Sequence, residues 1–452
     1  LIDLNVSKLI EKDIEWSDYV FISGMYIQKE SVNSIIQKVK KYNKKIVAGG
    51  PLFTQEYENY SQIDHFILNE AEITFPIFLE QLEKGITPDR VFKTKEYADL
   101  SKTPVPDYHL LKKNKYALMN IQISRGCPFS CDFCEITALL GHKVRMKTNH
   151  QILKELEVLY KLNWRGQVAV VDDNFIGNKK VVKTELLPAL ILWMKEHKYP
   201  FLFNAQTSIN LADDEALLQL MVEAGFNSTF IGIETTDENS LHDCQKKQNE
   251  NRDILTNVKQ IQQAGIQVSA GFIVGFDNDS ASVFQRQVDF IQDSGIVSAM
   301  VGLLNAPKNT QLYKRMEDEN RLTIEATGSN TDYTMNFTPK MDTSELLNGY
   351  KYIIYNIYSV KPYYKRIRNY FRNYTMSQNK QTQFEFSFIV AFLMSILIIG
   401  ILNNGRREYW RFFLWTLFNN PSLFVDAIAF TIYGYHFRTI YGLKKRDITQ
   451  RF

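Results

Sequence analysis

Two rhythms of apolar and polar positions take turns along the chain. Short apolar runs, "YVFIS" at 19–23 and "KIVAGG" at 45–50, have the pattern of buried parallel strands. Between them "ESVNSIIQKVKKY" carries Val32, Ile35, Ile36 and Val39 on one helical face. "HFILNEAE" and "FPIFLEQLEKG" repeat the scheme. Strand–helix–strand alternation predicts a partial doubly wound, Rossmann-like α/β domain over residues 1–94. Sheets of this kind bind ligands at the carboxyl ends of their strands. Ser23, Gly24, Gly49 and Gly50 fall at two such ends, where tight turns are the plainer account of the glycines.

Residues 95–116, with Pro104 and Pro106 and little periodicity, read as a linker. Alternation resumes over 117–325. Candidate strands are "ALMNIQIS", "QVAVVDD", "LFNAQTS", "STFIGIET", "QVSAGFIVGF" and "SAMVGLLNA", with helical patterns between them. Six such repeats predict a partial (β/α)6 barrel, with a second doubly wound sheet as the alternative. After about 326 the pattern turns polar, and residues 326–452 are expected to be mainly helical. A basic, Tyr-rich stretch covers 351–380, and Phe386 to Leu402 carries no charge. That run sits at the short edge of a spanning helix. Trp, Tyr and Arg follow it, a composition suited to a membrane interface. A lid over the barrel mouth, peripheral membrane contact and a true span are the three readings.

Composition narrows the class. A net charge of +3 does not argue for nucleic acid. Four cysteines are too few for a disulfide framework. No signal-peptide pattern is visible and the chain opens on Leu1. The expectation is a cytoplasmic protein cut from a longer chain, with peripheral contact at the inner membrane face as a further reading.

Three of the cysteines stand together in "RGCPFSCDFCEI": Cys127, Cys131 and Cys134, directly after the strand-like "NIQIS". Thiolates favour zinc or iron–sulfur clusters. Structural zinc wants four ligands, and a fourth would have to be His142 or the distant Cys244, which reads as a plain helix or surface cysteine. Three thiolates instead suit a four-iron cubane with one iron left open for an exogenous ligand.

"CPFSCDFC", with Phe133 before the third cysteine, resembles the signature loop of the radical S-adenosylmethionine superfamily. "VVDDNFIGN", "SINLADDE", "GIETTDENSL", "GFIVGFDND" and "SGIVSAMVGLL" extend the likeness over nearly the whole chain. They do so toward members with an N-terminal cobalamin-binding domain and a family-specific C-terminal domain, the group that includes the hopanoid methylases. The resemblance implies that Cys127, Cys131 and Cys134 hold a [4Fe–4S] cluster, with Phe133 beside the adenine of S-adenosylmethionine. It offers Asp172, Asp173 and Asn174 to the amino end of that molecule. It turns Glu234 to the ribose and sets Gly271, Ile273 and Gly275 beside the adenine. The plainer accounts are a helix N-cap for the two aspartates, a solvated strand end for Glu234 and close packing for the glycines. Ser23, Gly49 and Gly50 would border cobalamin, although no Asp-x-His-x-x-Gly loop supplies an axial histidine and His65 reads as structural.

The activity implied is reductive cleavage of S-adenosylmethionine to a 5′-deoxyadenosyl radical and cobalamin-dependent methylation of an unactivated carbon. The substrate would be a lipid-like or other small molecule, and the electron donor a flavodoxin or ferredoxin. A non-methylating rearrangement or cyclisation is the alternative, and a zinc-stabilised binding protein the rival from another class.

Overall fold

The computed structural model describes residues 1–323, 333–376 and 386–443. Residues 324–332, where the C-terminal region is expected to begin, lie outside the described residues. So do 377–385, which hold the end of the basic stretch, and 444–452. Twelve strands are present among the described residues: β1 Tyr19–Ser23, β2 Lys45–Gly49, β3 His65–Ile67, β4 Val91–Phe92, β5 Met119–Ile121, β6 Ser124–Arg125, β7 Arg145–Met146, β8 Gly166–Val170, β9 Phe201–Thr207, β10 Phe226–Glu234, β11 Gln267–Val274 and β12 Ala299–Leu303.

β1 to β4 form a parallel sheet in chain order. Alternate residues serve opposite faces. Ile46, Ala48 and Phe66 meet Val32, Ile36 and Val39 of the helix Lys29–Lys40, whereas Val47, Ile67 and Phe92 meet Phe78 of the helix Ala71–Glu83. Helices thus cover both faces, as in one wing of a doubly wound sheet. β1 is an edge strand with Phe21 exposed, not the fully buried strand its apolar run suggests.

The second sheet runs β5-β8-β9-β10-β11-β12, all parallel and again in chain order. β5 and β12 do not pair with each other. The sheet therefore stays open at one side, as a six-stranded partial barrel does. Its carboxyl ends all point one way, and β6 with β7 form a short antiparallel ribbon at that end.

A buried polar seam joins the two sheets. Arg145 grips Glu70 through two bonds (2.7 and 2.8 Å), and Arg125 pairs with Glu72 at 2.7 Å. Glu56, whose carboxylate is fully buried, takes both Lys29 and Lys308 at 2.7 Å. The lysines outweigh burial and hold its pKa below the ordinary glutamate value.

The C-terminal helices Thr343–Tyr358 and Val360–Asn373 lie against the outside of the barrel, on the helix Ser282–Ser294. The hydroxyl of Tyr350 donates to the carbonyl of Val301 within β12, and Tyr358 to Ala299 at its start. Arg366 reaches Val297 before that strand, and Tyr374 reaches Gly265 before β11. The path descends from mouth to base. These two helices run along the outer wall of the barrel, while Leu346 and Met335 at the start of the region pack on Gly275 just past β11. Among the described residues no helix is long and apolar enough to cross a membrane.

Candidate active site

The cysteine loop leaves β6 through Gly126, which is left-handed (φ +95°). A side chain there would collide with the carbonyl oxygens of Lys143 and Gly141. Cys127 N–H donates to Gly141 and Cys134 N–H to Cys131, so the loop folds back on itself. All three thiols are free and half-buried. Burial pushes Cys134 up to about 12 and raises Cys127 as well.

Two aspartates after β8 brace this loop. Asp172 accepts from Ile123 N–H at 2.7 Å and from the Ser124 hydroxyl at 2.6 Å. Asp173 accepts from Gly126 N–H at 3.1 Å. Burial pushes Asp172 up to about 6 and raises Asp173. The N-cap account fails, because the following helix starts at Lys179 and is capped by the Asn178 side chain. Asp172 is fully buried, with both carboxylate oxygens taken by Ile123 N–H and the Ser124 hydroxyl. Asn174 is buried too. Its amide donates to Ser208 at 3.2 Å, while its Oδ1 has no partner among the described residues.

Across the mouth, β10 slips register against β11 between Gly232 and Glu234, and Glu234 is left-handed (φ +65°). A non-glycine residue held there costs about 1–3 kcal/mol and persists only where neighbours over-determine it. They do so here. Asn249 donates to the carbonyls of Gly232 and Ile233, and Gln287 to that of Glu234. Lys246 donates to Glu234 Oε1 at 2.8 Å. Glu234 is only 8% exposed, so it is not a solvated strand end. Its Oε2 accepts nothing among the described residues and lies beside Gly271, where a Cβ would come within 3.8 Å of it.

Lys246 is the residue that sequence reasoning missed. Burial opposes its charge, but Glu234 and then Cys131 outweigh burial and keep its pKa above the ordinary lysine value. Its ammonium lies 5.8 Å from the centre of the Phe133 ring, which packs edge-on to Phe276. The whole segment 244–249 ties the cysteine loop to β10. The Cys244 carbonyl accepts from Asp132 N–H at 3.0 Å, and Gln248 Nε2 donates to Cys131 Sγ at 3.6 Å. Cys244 itself is buried, not a surface cysteine.

Other expectations sort plainly. A Cβ at Gly275 would press on Leu346 and Met335, each 3.2 Å away, as one at Gly271 would press on the Phe230 ring at 3.2 Å. Ile273 packs in the same small apolar cluster as Phe133 and Phe276. A Cβ on Gly49 would strike the Ile67 carbonyl, and one on Gly50 would strike Ser23 Oγ. Both glycines are thus explained by backbone packing, while Ser23 stays exposed at the end of β1. His65 is buried against the Asp89 carbonyl, and His142 is exposed.

Residues 121–291 match the Radical SAM superfamily, and residues 310–450 match a domain of unknown function, DUF4070. Over 458 aligned positions the chain is 37% identical to an uncharacterized methyltransferase, sll1242, of Synechocystis sp.. The alignment takes in 100% of this chain and 85% of that protein. The chain belongs to the radical S-adenosylmethionine (SAM) superfamily. This radical SAM protein is also 35% identical to the hopanoid C-2 methylase of Rhodopseudomonas palustris, over 71% of its own length and 61% of the methylase. Its fold is shared with the cobalamin-dependent S-adenosylmethionine radical enzyme OxsB (TM-score 0.60, 14% identity, 97% of this chain and 75% of that one). It is shared too with the radical SAM methyltransferase TsrM from Kitasatospora setae (0.59, 12%, 93% and 88%).

The superfamily works with a [4Fe–4S] cluster and SAM, and the residues at the mouth fit both. Three soft thiols face a buried cation and an amide donor. Among the described residues no His, Cys, Asp or Glu side chains converge in threes on a single ion. A cubane asks for no such convergence, since each thiolate binds a different iron. For SAM, a carboxylate oxygen without a donor lies beside a strand position that lacks a side chain.

Proposed function

We propose that this radical SAM protein is a cobalamin-dependent C-methyltransferase acting on a lipid-like small molecule. The observation that carries the reading is the meeting of three thiols and the Glu234–Lys246 pair, with the free Glu234 Oε2 beside Gly271, at one end of one barrel. The names of the relatives, a hopanoid methylase and an uncharacterized methyltransferase, support methyl transfer and a lipid-like substrate. The titles of the solved neighbours support a corrinoid.

In this reading Cys127, Cys131 and Cys134 hold the cluster, and Gln248 donates to one of its thiolates. Lys246 fixes Glu234 so that the free Oε2 accepts from ribose hydroxyls, and its charge offsets the anionic cluster. Phe133 and Gly271 flank the adenine, and Asn174 Oδ1 accepts from the amino end of SAM. Asp173 acts through the backbone of Gly126 as a positioning group. When bound, the cluster, SAM and cobalamin supply an electron, a hydrogen-abstracting radical and a methyl group. The corrinoid seat is the exposed end of β1 at Ser23, with Gly49 and Gly50 keeping the strand ends tight beneath it. Gln55, on the helix after β2, donates to Glu135 just past Cys134 at 2.7 Å, which keeps the strand ends of the first sheet next to the cysteine loop. A cytoplasmic site and a flavodoxin or ferredoxin donor go with this reading.

The test is anaerobic turnover of reconstituted protein with methyl-labelled SAM, a chemical reductant, cobalamin and a cell extract split into lipid and aqueous fractions. Label should enter the lipid fraction only when cobalamin is present. Formation of 5′-deoxyadenosine with no label in either fraction would overturn methyl transfer in favour of a rearrangement or cyclisation.

A further inference from the structure

The helical arm Phe386–Ser395, continued by Ile396–Leu402, is the layer farthest from the barrel. It packs on the helices Arg406–Asn419 and Phe424–Ile440, and these pack on Val360–Asn373. Its polarity is inverted. Ile389, Leu393, Leu397 and Ile401, each four positions from the last, are 41–57% exposed. The polar Ser395 is 3% exposed, and its hydroxyl turns inward to Phe392 O (2.8 Å) and Tyr409 Oη (3.1 Å). A helix in water shows the opposite arrangement. On the next helix Trp410, Leu414, Leu417 and Phe418 are exposed as well.

Cations border this crest. Arg407 and Arg411 are exposed beside Trp410 and Leu414 on the same helix. Arg368 stands near both Arg372 and Arg411, with its guanidinium 5.5 Å from the Trp415 ring. Glu408 and Asp426 are the only acids between Arg406 and Ile440. An apolar ridge with a cationic, tryptophan-bearing border complements a bilayer surface with anionic headgroups, where apolar burial and charge attraction act together. A second copy of the chain would bring the same cations face to face.

We propose that this face docks in the interfacial plane of a lipid bilayer carrying anionic headgroups. The inference stands apart from the methyl-transfer reading, because the face lies outside the barrel and shares no residue with its mouth.

The experiment uses the full chain with phosphatidylcholine vesicles, with and without about a third phosphatidylglycerol. Sedimentation and the tryptophan emission shift report binding, and reductive SAM cleavage is followed in the same samples. The chain should bind the anionic vesicles, and about tenfold or more weakly the neutral ones. It should release when salt rises from about 0.1 M to about 1 M. Leu393→Glu/Leu397→Glu should lower partitioning about 100-fold or more, and Arg407→Glu/Arg411→Glu about tenfold or more. SAM cleavage should stay at the parent level in both. If the leucine pair loses the parent's circular dichroism, Leu417→Ser/Phe418→Ser provides the same reading from the neighbouring helix. Absence of binding to anionic vesicles at low salt would overturn the proposal, as would binding that survives these apolar substitutions. A concentration-dependent dimer abolished by the same pair, with no vesicle binding, would give the face to a second copy instead.

Discussion

Lys246→Met isolates what the buried pair at the mouth does. The parent holds the ammonium 2.8 Å from Glu234, with side-chain exposures of 11% and 10%. At an effective dielectric constant of about 20 the bare attraction at that distance is about 6 kcal/mol. Desolvation of both groups cancels much of it, so the net worth of the pair against an apolar isostere is small. Removing one partner is a different matter. Methionine keeps the length and bulk of lysine but leaves Glu234 charged, buried and still left-handed, which costs about 3–5 kcal/mol. Glu234→Gln in the same chain removes the stranded charge and should recover most of that loss.

Amide exchange across Phe226–Glu234 reads the cost locally. Protection in that strand should fall about 100-fold or more in Lys246→Met, with the β1–β4 sheet unchanged. The double variant should return to within about tenfold of the parent. Equal lability of the single and double variants would refute the reasoning, because the penalty could not then come from an unpaired Glu234. Unchanged protection in the single variant would show that water already reaches the pair.

Glu234→Ala should weaken SAM binding about tenfold, measured by anaerobic equilibrium dialysis, without loss of iron. Replacing any one of Cys127, Cys131 or Cys134 by Ala should abolish 5′-deoxyadenosine formation, whereas Cys244→Ala should keep the iron, since its buried thiol bonds the Leu241 carbonyl and its carbonyl, which alanine retains, holds Asp132 N–H. Asp172 gives a pH test. Its folded pKa of about 6 lies above the unfolded value near 3.8, so the native state binds the extra proton between the two. Stability of the parent relative to Asp172→Asn should therefore fall as pH rises from about 4 to about 6, by about 3 kcal/mol in all, and stay level above that. A difference that grows in the opposite direction in urea titrations would reverse the assignment.

The strands were legible because each is a short apolar run between helical patterns, and the cysteine loop because its spacing is local. What failed to show depends on partners far along the chain. The predicted strand 117–124 breaks into β5 and β6, since the N–H of Ile123 is taken by Asp172 and not by a neighbouring strand. Lys246 sits in a polar "QKKQNE" run that carries no periodicity; only the fold brings it against Glu234. That Leu346 and Met335 of the C-terminal region pack against Gly275 is a contact the spacing of "GFIVG" does not carry. Hydropathy suggested a lid. The hydroxyls of Tyr350 and Tyr358 and the guanidinium of Arg366 bond carbonyls progressively nearer the base of β12, a direction along the barrel wall that hydropathy does not show.

The polar seam bears on how the two sheets can cooperate. Buried ion pairs add little net stability over apolar packing, but they are strict about geometry. Arg145 must meet both oxygens of Glu70, and it also donates to the carbonyls of Ala98 and Leu140. Arg125 lies immediately before Gly126, so the same cation that holds Glu72 also sets where the cysteine loop begins. Separating the sheets would break the Arg145–Glu70, Arg125–Glu72 and Lys308–Glu56 pairs together, while Glu56 would keep Lys29 on its own side. These pairs set one relative placement of the two sheets, with the ends of β1 and β2 on the side of the cysteine loop that Gln55 reaches through Glu135. A truncation that removes residues 1–94 cannot leave the barrel untouched, because it takes the partners of Arg125 and Arg145 with it. Single substitutions at Ser23 or Gln55 keep the seam and are the cleaner probe of what the first sheet holds.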